Sequence, residues 1–146
     1  MIVVYEPARD RVSRGTAAFQ ELLEGVLSAG GNFYRDLPLP STDEEYDAAI
    51  SRRYDKMKYE EEGGGTVQSE NDNSAGFVEM SEALRSNFEE LSFEWRYAFF
   101  HEFIGGLRFD DETNVRLARF LREMDRRLVA LDVLDASLFF FVGRVV

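Results

Sequence analysis

SFEWRYAFFHEFIGGL, residues 92–107, sets Phe93, Trp95, Tyr97, Phe99, Phe100, Phe103, Ile104 and Leu107 around one arginine, one histidine and two glutamates. Read at the helical period, these positions leave almost no polar face, and a helix apolar all round is one that other elements surround. Ser92 reads as its N-cap and Gly105-Gly106 as its stop. The stretch therefore predicts a central helix over residues 93–107, with the rest of the chain packed around it. Arg96 is the difficulty in that reading. A guanidinium keeps its charge, so it needs solvent or a carboxylate, either Glu90 or Glu94 of its own chain or an acid on another molecule.

The flanking segments supply helices to surround it. In TAAFQELLEGVLSAGG, Phe19, Leu22, Leu23, Val26 and Leu27 form one apolar stripe, closed by Gly30-Gly31. NFYRDLPLP follows as a proline-bearing linker. Ser41 and Glu44 read as a capping box for a second helix with Tyr46, Ala49, Ile50, Tyr54 and Met57 on its apolar side. GGGTVQSENDNSAG, about residues 63–75, reads as a mobile loop. A third stripe runs through Phe77, Met80, Leu84, Phe88 and Leu91. Asp110 or Asp111 caps a further helix that turns Leu117, Leu121, Met124 and Leu128 inward. MIVVYE is a short strand or arm, and DVLDASLFFFVGRVV a helix or a strand. The fold expected is one all-α domain over residues 1–146, a helical bundle around a central hydrophobic helix.

Composition narrows the function classes. The 146 residues carry 28 acids against 17 bases, a formal charge of −11. That opposes nucleic acid as a partner and suits basic peptides or proteins. With no cysteine and one histidine, thiolate metal sites and most histidine-based sites are excluded. His101-Glu102 lacks the second histidine of a zinc-protease motif, since position 105 is glycine, and GGG at 63–65 lacks the lysine of a phosphate loop. The expectation is a non-enzyme without metal or cofactor, in the cytoplasm. The longest apolar run, LFFFV, is far short of the ~20 residues of a membrane span.

The order of pieces resembles the Bcl-2 apoptosis regulators. LRSNFEELSFEWRYAFFHEFIGG is similar to that family's first homology motif, Glu-Leu-Phe-x-Asp-Gly-x-Asn-Trp-Gly-Arg, and the apolar helix after it. Phe88 falls on the motif's phenylalanine, Glu90 on its acid, Arg96 on its arginine, and Phe103 and Gly105 on the closing Phe and second Gly. FQELLEGVLSAGGNFYRD is similar to the family's first helix, AAISRRYDKM to its second, and RLARFLREMDRRLVALDV to its sixth. The chain departs from the pattern at Phe93-Glu94-Trp95, where the family has Asn-Trp-Gly, and it lacks the Leu-x-x-x-Gly-Asp signature and a C-terminal anchor. A drifted, anchorless form is most similar to virus-encoded members.

The resemblance implies an anti-apoptotic protein of the host cytosol, peripheral at mitochondria if membrane-associated, that holds the amphipathic death helix of pro-apoptotic partners in a hydrophobic groove. It places Ile50, Tyr54, Met57, Leu84, Phe88 and Phe103 on that groove, with Arg96 pairing the incoming aspartate. Trp95 and Gly105 would shape the groove, or Trp95 would anchor a homodimer. Two other readings stay open: an acidic helical inhibitor such as an immunity protein or nucleic-acid mimic, whose binding would fall with salt and ignore Arg96, and a same-fold signalling inhibitor without a groove.

Overall fold

The computed structural model describes residues 1–58 and 76–145; the expected loop at 63–75 lies outside the described residues. The fold is mixed, not all-α. Strands β1 (Ile2–Pro7), β2 (Phe88–Arg96) and β3 (Leu138–Val145) form an antiparallel sheet in the order β1-β3-β2. Helices α1 (Arg14–Ala29), α2 (Asp43–Met57), α3 (Phe77–Asn87), α4 (Phe100–Phe103) and α5 (Asp111–Ala130) complete the described elements, with a 3-10 turn at Arg9–Arg11.

The central helix expected over 93–107 is the main correction. Its first half is strand β2, because Ser92-Phe93-Glu94-Trp95-Arg96 alternates polar and apolar, the period of a half-buried strand. Phe93 and Trp95 point to one face, where Phe139 and Phe141 of β3 and Phe77, Met80 and Leu84 of α3 pack with them. Ser92 is therefore a strand residue and not a helix cap, and a register shift between Glu90 and Ser92 leaves Leu91 half exposed. Tyr97 then turns the chain with φ 47°, a left-handed conformation that costs a non-glycine residue about 1–2 kcal/mol. Only four residues of the stretch, Phe100–Phe103, are helical.

What holds that turn is an aspartate far along the chain. Asp125 on α5 is fully buried and accepts from the backbone N–H groups of Ala98 at 2.9 Å, Phe99 at 2.7 Å and Phe100 at 2.7 Å. It caps α4 from a neighbouring helix, since Phe99 at the N-cap position offers no side-chain acceptor. Once the turn is made, Ala98, Phe99 and Phe103 enter a second core with Phe33, Leu107, Leu121 and Leu134. Phe19, Leu23 and Leu27 of α1 and Leu117, Met124 and Leu128 of α5 pack on it, as their spacing predicted for those positions. Gly106 is needed here, because a Cβ would run into the Phe33 ring.

The remaining elements are close to expectation. MIVVYE and LFFFVGRV resolve as strands, Asp110 caps α5, and Thr42 rather than Ser41 caps α2, with Ser41 bonded instead to the Glu45 carboxylate.

Candidate functional site

The residues expected to build one groove lie in three separate places. Ile50, Tyr54 and Met57 are on α2, where the Tyr54 ring carries Arg14 and Lys58 over its faces. Leu84 and Phe88 pack under the sheet with α3, and Phe103 is buried in the other core at 1% exposure. Arg96 stands on the opposite, open face of the sheet. It lies over the Phe140 ring at 4.4 Å and pairs with Glu94 at 2.8 Å, the within-chain partner that the sequence offered. Trp95 packs on Phe77 with ring centroids 4.5 Å apart and takes Arg11 over its face at 4.0 Å, which commits the indole to its own core. Gly105 has open space around it.

Two regions that sequence reasoning did not assemble have the form of sites. The first follows from the way α1 is rolled. Its apolar stripe only half enters the core: Phe19, Leu23 and Leu27 go in, while Leu22 and Val26 stay 49% and 73% exposed. Across from them the linker presents Leu37–Pro40 and α2 presents Tyr46, enclosing an apolar cleft of about 440 Å³ with Leu22 and Val26 on its other wall. Leu39 approaches so closely that a Cβ on Gly25 would sit 3.2 Å from its methyl, which makes that glycine the floor of the cleft. A smaller cleft of about 320 Å³ continues past the linker to Glu45, Ala48 and Arg52. Acids gather at this end of the molecule: Glu21 borders both clefts, and Asp43, Glu44 and Glu45 form the first turn of α2. Glu45 is held below the usual carboxylate range by the Ser41 backbone N–H first and the Ser41 hydroxyl next, so it stays charged.

The second region lies on the other flank of α1, where Thr16, Gln20, Glu24 and Ser28 form a buried polar row at four-residue spacing. Glu24 is 1% exposed and serves two guanidiniums. Arg53 of α2 bonds both Glu24 and Glu21, and Arg35 bonds Glu24 Oε2 at 2.9 Å, with its Nε 2.8 Å from the other oxygen as an ion pair only. Burial alone would lower the Arg53 pKa, but the bonds to Glu24 and Glu21 outweigh it and raise it. On the facing side, His101 and Glu102 of α4 stand 3.5 Å apart. The hydrogen bond from His101, ahead of the opposing effect of burial, holds Glu102 below the ordinary carboxylate value, with Arg9 and Arg53 adding to it.

Among the described residues no group of three or more histidine, cysteine or carboxylate side chains could hold a metal, and no helix is long and apolar enough to cross a membrane. Comparison with protein families, with curated proteins and with solved structures finds no match for this chain.

Proposed function

We propose that the protein is a binding module that seats a basic amphipathic segment of a partner protein in the apolar cleft between α1, the 37–40 linker and α2. The observation that carries this is the exposure of Leu22 and Val26 opposite Leu39 and Tyr46, which are themselves 57% and 40% exposed. Four large apolar side chains turned into one cleft of about 440 Å³ match the size and lining of a ligand pocket, where single exposed hydrophobics would not. An amphipathic helix fills such a cleft with apolar anchors at i, i+3 or i+4, and i+7. Glu45 in the adjoining cleft, with Asp43 and Glu44 in the same first turn of α2 and a chain charge of −11, favours cationic residues on the partner's polar face and speeds its approach.

Helix capture is the part of the sequence reading that this keeps, moved to other residues. The pro-apoptotic death helix, which would bring an aspartate to Arg96, remains an occupant to be tried, although Arg96 is on the sheet and already paired with Glu94.

The test is titration of the full chain with labelled helical peptides: a basic amphipathic one, its charge-reversed twin, and a death-helix sequence. The basic peptide binds, binding weakens with added salt, and Val26→Asp reduces it at least tenfold with the circular dichroism unchanged. Equal binding of the charge-reversed twin removes the electrostatic argument. Binding that survives Val26→Asp but is lost in Arg96→Ala moves the site to the sheet and returns the death-helix reading.

A further inference from the structure

One residue of the polar row of α1 borders a cavity of about 130 Å³ that neither the core nor the helix-binding cleft accounts for. Gln20, fully buried, is one wall of it. Its Nε2 donates to the Ala98 carbonyl at 3.2 Å, which fixes the amide orientation and leaves Oε1 as the acceptor to be met. That oxygen is buried and has no hydrogen-bond partner among the described residues, so the wall of the cavity holds one acceptor without a donor.

The rest of the wall is cationic. Arg35, Arg53 and Lys56 line the same cavity. Arg35 and Arg53 share the buried carboxylate of Glu24, Arg53 also bonds Glu21, and Lys56 makes no ion pair among the described residues. The lining therefore carries both signs, these cations and the Glu102 carboxylate. Arg9, Met57 and Glu102 form a partition shared with a second cavity of about 220 Å³. Beyond the partition the walls turn apolar, with Tyr5, Pro7, Val12 and Leu138.

We propose that these adjacent cavities bind a small zwitterion of the α-amino-acid type. Its carboxylate lies against Arg53 and Lys56, its ammonium donates to Gln20 Oε1 and faces Glu102, and an apolar side chain passes the Met57 partition into the Tyr5–Leu138 cavity. Each alternative leaves something unmatched. Inorganic phosphate meets the cations but sets acceptor against acceptor at Gln20. A simple amine satisfies Gln20 and Glu102 but brings no anion to Lys56. Water alone fills the smaller cavity with on the order of four molecules, from ~30 Å³ each, and brings no counter-charge to Lys56.

Calorimetric titration and thermal-shift assays on the full chain, with glycine, leucine, phenylalanine, lysine and glutamate, test this, with acetate, methylammonium and phosphate as probes of the separate charges. Leucine or phenylalanine binds and raises the melting temperature, glycine binds at least tenfold more weakly, and the separate charges bind more weakly still. Lys56 is exposed, so Lys56→Ala keeps the fold and weakens leucine binding about tenfold. The Gln20 side-chain amide resonances shift on ligand addition, a readout independent of any variant. Val26→Asp, in the other cleft, leaves amino-acid binding unchanged, so the two proposals fail separately. Absence of binding by every amino acid, phosphate binding as tightly as leucine, or a Gln20 amide that does not move overturns the proposal.

Discussion

Replacing Asp125 by alanine tests the junction on which the fold turns. Its carboxylate receives the N–H groups of Ala98, Phe99 and Phe100 in a fully buried position. Hydrogen bonds to a charged acceptor each contribute about 1.5–3 kcal/mol, and leaving a buried donor unmet costs about 1–3 kcal/mol. The three bonds are not additive because the N–H groups share one carboxylate, and the turn can relax toward solvent at Phe100, which is only half-buried. A loss of roughly 4 kcal/mol follows, a large fraction of the 5–15 kcal/mol that stabilises a typical domain. For a chain of this size that corresponds to a melting temperature about 8–16 °C lower. Asp125→Asn is expected to fall between the two, since one amide oxygen still accepts while the NH₂ group is turned on the remaining donors. Urea unfolding followed by circular dichroism gives the free energies, and hydrogen exchange at Phe99 and Phe100 shows whether the loss is local. A cost below about 1 kcal/mol, with those two amides still protected, would refute the argument that Asp125 caps α4.

Two further outcomes concern the surface. Arg96→Ala changes stability by no more than about 1 kcal/mol, because its partner Glu94 is 53% exposed and surface ion pairs are weak; denaturant midpoints check this, and a cost of 3 kcal/mol or more would require a buried pairing. Glu123 is held at about 2 by its hydrogen bond to Arg126, aided by Arg127, against an ordinary carboxylate value of 4.5. A depressed pKa means that the folded form holds the proton less tightly, so this contribution is present above about pH 4.5 and disappears as pH falls toward 2. Glu123→Gln therefore shows a shallower decline of the urea midpoint over that interval than the parent chain, and molar salt narrows the gap. Parallel declines in both proteins at low salt would show that the pairing does not persist in solution.

How much of this was legible in the sequence depends on the distance over which each signal acts. The helical periods of α1, α2 and α5 were read from neighbours three and four residues apart, and those helices exist. At 92–96 a period of two was equally present, yet the aromatics at 99, 100 and 103 fit a helix and carried the reading across the boundary. Nothing within that stretch announces the break, because the boundary is made by Asp125, more than twenty residues on. LFFFV is a continuous apolar run, and such a run does not separate a buried strand from a buried helix. The two clefts escape the sequence for a related reason. Leu22 and Val26 share the spacing of the residues that enter the core, and the roll that leaves them outside shows only in the partners met far along the chain, the core against Phe19, Leu23 and Leu27 and the arginines Arg35 and Arg53 on Glu24. Gln20 had no sequence signal beyond its place four residues before Glu24 on the same row.

The order β1-β3-β2 also has a kinetic meaning. Neither outer strand touches the other; each depends on β3, with Ile2 opposite Gly143 and Phe93 opposite Phe141. A ribosome making this chain releases β1 and β2 well before the strand that joins them. Until residues 138–145 emerge, the apolar sides of Val4, Phe93 and Trp95 have only α3 to shelter them, and both strand edges stay unpaired. The slow step is then closure of a loop nearly as long as the chain itself, and the nascent protein passes through an interval in which chaperone contact competes with self-association.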